Sequence, residues 1–120
     1  MLAYKLFGSG LTTLTVASIT DVATGLTAAG TTAGTATEVT SARNAFTTVA
    51  SGTGAILDSD SAAGDSQLIY NGGANVLRVY PTTSAQINNL GTNNPAFVQP
   101  RTAAEFHKLS STLWTAVLSA

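Results

Sequence analysis

The sequence predicts an all-β chain, a small antiparallel β-sandwich or β-barrel with an extended N-terminal arm. Three observations carry that expectation. One residue in six is threonine, whereas the helix formers Glu, Lys, Gln and Arg are scarce. From Thr35 onward, strand-sized segments recur about every 8–12 residues, the spacing of sandwiches and barrels. The segments between them are rich in Gly, Asn, Ser and Pro, and nothing sustains a helical apolar period.

Residues 1–24 read as an N-terminal arm with a first strand, and residues 25–120 as a single β domain. Leu2, Tyr4, Leu6 and Phe7 form an apolar cluster, and Gly8-Ser9-Gly10 after them lets the backbone swing. The same glycines break the apolar run that a signal peptide needs, and no run of about 20 apolar residues predicts a membrane span. "LTTLTVASI" follows, a segment suited to adding a strand to an exposed sheet edge. "TGLTAAGTTAG" is a flexible connection or a strand with tight turns.

Strands are then expected at Thr35–Thr40, Ala45–Ala50, Gly54–Leu57, Gln67–Asn71, Asn75–Tyr80, Ala96–Gln99, Ala103–Leu109 and Leu113–Leu118. Thr40-Ser-Ala-Arg-Asn is able to open one helical turn. "SQLIYNGGANVLRVYP", residues 66–81, reads as a hairpin around Asn71-Gly72-Gly73-Ala74-Asn75. In its second strand Leu77 and Val79 point one way. Arg78 and Tyr80 share the other face, which is expected to be wet or to meet a partner. The last strand, with Trp114, Val117 and Leu118, is apolar on both faces, so it is central or covered by another subunit. No repeat of fixed length is visible, which argues against a solenoid.

Composition bounds function. Only 9% of residues are charged, against a usual ~25%. Such an uncharged surface is cheap to desolvate and suits packing against protein. The net charge is −1 and the five cations are scattered, which excludes the basic footprint of a nucleic-acid binder. Without cysteine, neither disulfides nor thiolate metal sites arise.

Candidate chemistry is thin. In "DSDSAAGD", Asp58, Asp60 and Asp65 mimic the start of a calcium loop, but Ala63 replaces its glycine and Ile69 its closing glutamate, so a polar turn is expected. His107 and Glu105 share a strand face as a base and its orienting carboxylate would, yet no motif supplies a nucleophile or a metal. The paired glycines lack a phosphate-loop lysine and read as turns. Trp114, Phe46, Phe97, Phe106, Tyr70 and Tyr80 are able to line a sugar platform, although aromatics in so small a β domain more often form its core. No enzyme activity, no metal and no cofactor are expected.

Residues 63–120 carry Gly64-Asp65-Ser66, then Asn71 to Pro81 in the pattern N-x-G-A-N-x-L-x-V-Y-P, then Ile87-Asn88-Asn89-Leu90, Ala104-Glu105-Phe106 and Trp114-Thr115-Ala116-Val117. This set resembles a recurrent β-rich module in structural proteins of tailed bacteriophages, and residues 25–57 look like its lead-in. Thr82 stands where the module often has a second proline. The resemblance implies a virion protein, most like a capsid decoration (cement) protein. Such a protein would bind the outer head surface as a homotrimer, its partners being the major capsid protein and itself, with no nucleic acid and no membrane. The alternative it leaves is a receptor- or glycan-binding module of a head or tail fibre. Under the decoration reading, Leu2, Tyr4, Leu6, Phe7, Arg78, Tyr80 and Trp114 are the expected contacts with capsid or neighbouring subunits.

Overall fold

A computed structural model describes residues 21–118. Ten strands build two mixed sheets: β1 (Val22–Thr27), β2 (Thr37–Glu38), β3 (Arg43–Thr48), β4 (Gly54–Ile56), β5 (Ser66–Asn71), β6 (Leu77–Tyr80), β7 (Gln86–Ile87), β8 (Ala96–Val98), β9 (Thr102–Ser110) and β10 (Leu113–Leu118). The larger sheet runs β1-β3-β5-β9-β10-β7 and the smaller β2-β4-β6-β8. Among the described residues the only helical element is a 3-10 turn at Ala33–Thr35. The all-β expectation holds.

The antiparallel expectation does not. β1, β3 and β5 are mutually parallel, and so are β2, β4 and β6. The chain alternates between the sheets, so each parallel crossover is itself a strand of the opposite layer. This is the winding of a β-solenoid rather than of a sandwich or barrel. Val22 stacks on Arg43 and Arg43 on Leu68, so successive coils are of unequal length and leave no fixed repeat to read. At the C-terminal side the winding ends: β8 lies antiparallel on β6, β9 on β5, and β10 on β9.

The segment 66–81 is accordingly a corner and not a hairpin. β5 pairs with β3 and β9, whereas β6 pairs with β4 and β8 in the other sheet. Asn71, fully buried, makes the corner. Its Nδ2 donates to the carbonyls of Asn75 (2.8 Å) and Val98 (2.9 Å), and its Oδ1 accepts from the Gly73 N–H at 2.9 Å. A Cβ on Gly73 would lie 2.7 Å from the Cβ of Val49 in the preceding coil, so only glycine lets the two coils close. Arg101 Nη1 donates to the carbonyls of Gly72 and Gly73 from outside. At the other corner buried Gln67 donates to the Val39 and Ser41 carbonyls and accepts from the Asp58 N–H. Corners take backbone groups out of the ladder, and buried amides satisfy what the ladder cannot.

The core lies between the sheets. Phe46, Ile69, Phe106 and Trp114 from the larger sheet meet Ala55, Leu77, Val79 and Val98 from the smaller. Trp114 is sealed within its own chain, its indole N–H donating to the buried Thr82 hydroxyl at 3.0 Å and Lys108 Nζ lying 5.7 Å from the ring centroid. Thr82 thus has a bonding role that proline could not fill. β10 is flanked by β9 and β7 only at Leu113–Trp114, and beyond that Val117 and Leu118 are exposed. The segment Thr40–Asn44 makes bends leading into β3 and no helical turn.

Candidate functional site

With the core between the layers, each sheet has one outward face, and the two faces point in opposite directions. On the larger sheet, register aligns Arg43, Leu68, Glu105 and Val117 in one row across four strands, and Ala45, Tyr70 and Ala103 in the next. Val117 is 63% exposed and Tyr70 37%, while Leu68 is half-buried. Leu68, Ala103, Val117 and Leu118 line a shallow apolar depression of about 250 Å³. Grouped apolar exposure of this kind marks contact surfaces more than scattered single residues do.

A third row on this face brings Ser66 opposite His107 and Thr115 beside it. Ser66 Oγ lies 2.7 Å from His107 Nδ1, and Glu105 Oε1 lies 3.9 Å from Nε2. The sequence offered the histidine and the carboxylate. The hydroxyl, distant in the chain, is delivered only by the β5–β9 register, and no local motif marks it. The carboxylate is beyond hydrogen-bonding reach of the imidazole, and both it and the ring are open to water at 55% and 39% exposure. General-base work needs a partner held in hydrogen-bonding reach of the proton it moves, and this geometry holds only the serine so.

The smaller sheet presents a different face. Arg78 on β6 sits directly opposite Phe97 on β8, and Phe97 is 52% exposed. Together with Asn75, Val76, Gln99 and Ser51 they line a depression of about 400 Å³. Tyr80, on the same side of β6 as Arg78, is buried: its hydroxyl donates to the Thr31 carbonyl at 3.1 Å, and the loop leading to the 3-10 turn covers it. Of the six aromatics able to form a sugar platform, Phe46, Phe106, Trp114 and Tyr80 are interior. Phe97 and Tyr70 reach the surface, on opposite sheets.

Of the expected contact residues, then, Arg78 is half-exposed, while Tyr80 and Trp114 are enclosed by their own chain. Leu2, Tyr4, Leu6 and Phe7, with the rest of residues 1–20, lie outside the described residues. The acidic turn is internally bonded: Asp58 Oδ1 accepts from the Asp60 N–H at 2.9 Å and Asp65 Oδ2 from the Ala62 N–H at 2.8 Å. Lys108 Nζ ties the same turn to the core through the Ser61 carbonyl and hydroxyl. Among the described residues no three His, Asp or Glu side chains converge as metal ligands. Nearby, the backbone N–H and the hydroxyl of Ser59 donate to Glu38 and hold its carboxyl below the usual carboxylate range.

No protein-family model, no curated protein and no solved structure matches this chain.

Proposed function

We propose that this chain is a capsid decoration (cement) protein of a tailed phage, a structural protein and not an enzyme. It sits on the outer surface of the head as a trimer, where it clamps neighbouring major capsid subunits. The supporting observation is an apolar patch on the outer face of the larger sheet, where Leu68 and Tyr70 on β5 and Val117 on β10 flank Glu105 and Ala103 of β9, in a chain that has few charges to desolvate. The kind of partner is taken from the resemblance of the motif set to phage structural modules. A protein that binds only the assembled shell stabilises it by mass action. No metal, cofactor, nucleic acid or membrane enters this reading.

The test is sedimentation of the purified chain with tailed-phage heads from the same source, combined with a heat challenge of those heads. The chain should pellet with heads and raise their disruption temperature, and Val117→Lys should abolish both while leaving the chain folded. Failure to pellet, or full binding by Val117→Lys, refutes it. A second reading, a receptor- or glycan-binding module of a head or tail fibre, is favoured by one observation, the open Phe97 ring on the opposite sheet.

A further inference from the structure

We infer that the depression on the outer face of the smaller sheet binds a carboxylate-bearing sugar, with Phe97 and Arg78 as its two recognition elements. The inference deepens the glycan-binding reading and rests on it for the class of ligand. It does not depend on where the chain sits on a particle.

A single exposed apolar side chain is ordinary on a protein surface. The neighbourhood of Phe97 is not that of a solitary ring. Its cross-strand partner is Arg78, and between Val76 and Gln99 the two border a hollow of about 400 Å³, within the usual size of small-ligand sites. Among the described residues Arg78 has no ion pair and no ring contact, so its guanidinium keeps its donors for a ligand. In a chain with five cations, that is a notable reserve: Lys108 is spent on Ser61 and Arg101 on the Gly72 and Gly73 carbonyls.

The other lining groups define the ligand further. Asn75 uses its Nδ2 on the Val49 carbonyl, which fixes the side chain and leaves Oδ1 as an acceptor for a hydroxyl. The Gln99 amide is exposed and supplies both donor and acceptor. An aromatic face takes the C–H side of a pyranose ring, a guanidinium takes a carboxylate through two parallel hydrogen bonds, and amides take hydroxyls. A phosphate-rich polymer would need several clustered cations, and this hollow holds one. A neutral sugar would accept hydrogen bonds from the guanidinium but leave its charge without a counter-ion. A uronic-acid unit satisfies ring, cation and amides together.

The face is also placed to be available. The two outer faces are opposed, so docking through Leu68 and Val117 leaves Phe97 and Arg78 pointing away from the shell.

The probe is trigalacturonate, with its methyl ester and maltotriose as controls, followed by chemical-shift perturbation and titration calorimetry on the intact chain. Trigalacturonate should shift the resonances of Arg78, Phe97 and Gln99. Loss of the charge in the ester should weaken binding about tenfold or more, the worth of one charge-assisted contact. Phe97→Ala and Arg78→Gln should each weaken the acid to a similar degree, with unchanged thermal unfolding because neither side chain is in the core. Only Arg78→Gln should erase the difference between acid and ester. The inference is overturned if trigalacturonate does not bind at millimolar concentration, if the shifts map to another face, or if acid and ester bind alike. Binding of maltotriose at the same residues with the same affinity would keep a glycan site but overturn the acidic class.

Discussion

Replacing Asn71 by alanine strips the corner between β5 and β6 of its internal bonding. The side chain is fully buried and serves three backbone groups: the carbonyls of Asn75 and Val98 and the N–H of Gly73. Each buried group left without a partner costs about 1–3 kcal/mol. Water entering the vacated space offsets part of this, so the expected loss is about 3–5 kcal/mol against a typical total of about 5–15 kcal/mol. With a urea slope of about 1–3 kcal/mol per molar, the midpoint should fall by roughly 2 M. The buried Trp114, the only tryptophan, reports the transition by fluorescence. Asn71→Asp sharpens the test. It keeps the acceptor for Gly73 but turns an anionic oxygen toward two carbonyls in a buried site, which raises the carboxyl's folded-state pKa. Between the unfolded value of about 3.9 and that raised value the folded state holds more protons, so stability should fall as pH rises from 4 to 7. An Asn71→Ala midpoint within about 0.5 M of the parent, or an Asn71→Asp variant equally stable at pH 4 and pH 7, refutes the corner argument.

Gly73→Ala should cost about 1–3 kcal/mol in urea melts by forcing the new methyl against the Cβ and backbone nitrogen of Val49, and Val49→Ala in the same chain should not restore the loss, because alanine keeps both of those atoms. Trp114→Ala should cost about 3–5 kcal/mol, read by calorimetry, because the ring is fully enclosed by its own chain; the loss should not depend on protein concentration. Thr82→Val, which strands the indole N–H, should cost about 1–3 kcal/mol and shift the Nε1–H resonance of Trp114. The depressed carboxyl of Glu38 contributes stability that is present above its ordinary pKa and lost as pH falls through its lower folded value. Amides of Ser59 and its neighbours should therefore shift on acidification, and Glu38→Gln should remove that response.

The sequence by itself determined strand content, the position of most strands and the alternation along them. Leu77 and Val79 face inward, and Ala104, Phe106 and Lys108 share the buried side of β9, as period-two reading requires. Those properties are local, written in side chains two residues apart. Which strands pair was not legible, because "NGGAN" serves a hairpin turn as well as a corner. The choice between them depends on contacts with Val49 and Val98 in other parts of the chain. Unequal coil lengths hid the parallel winding for the same reason: register is set by stacking and not by a repeat. Tyr80 shows how coverage escapes local reading. It lies on the side of β6 that alternation assigns it, yet a loop from Thr31 closes over it, while Phe97, in an equally apolar strand, stays open. Ser66 met His107 only through the β5–β9 register, and Arg78 met Phe97 only through β6–β8. Strand propensity comes from each residue and its near neighbours; faces and sites come from the packing of segments far apart in the chain, and only the tertiary structure supplies that.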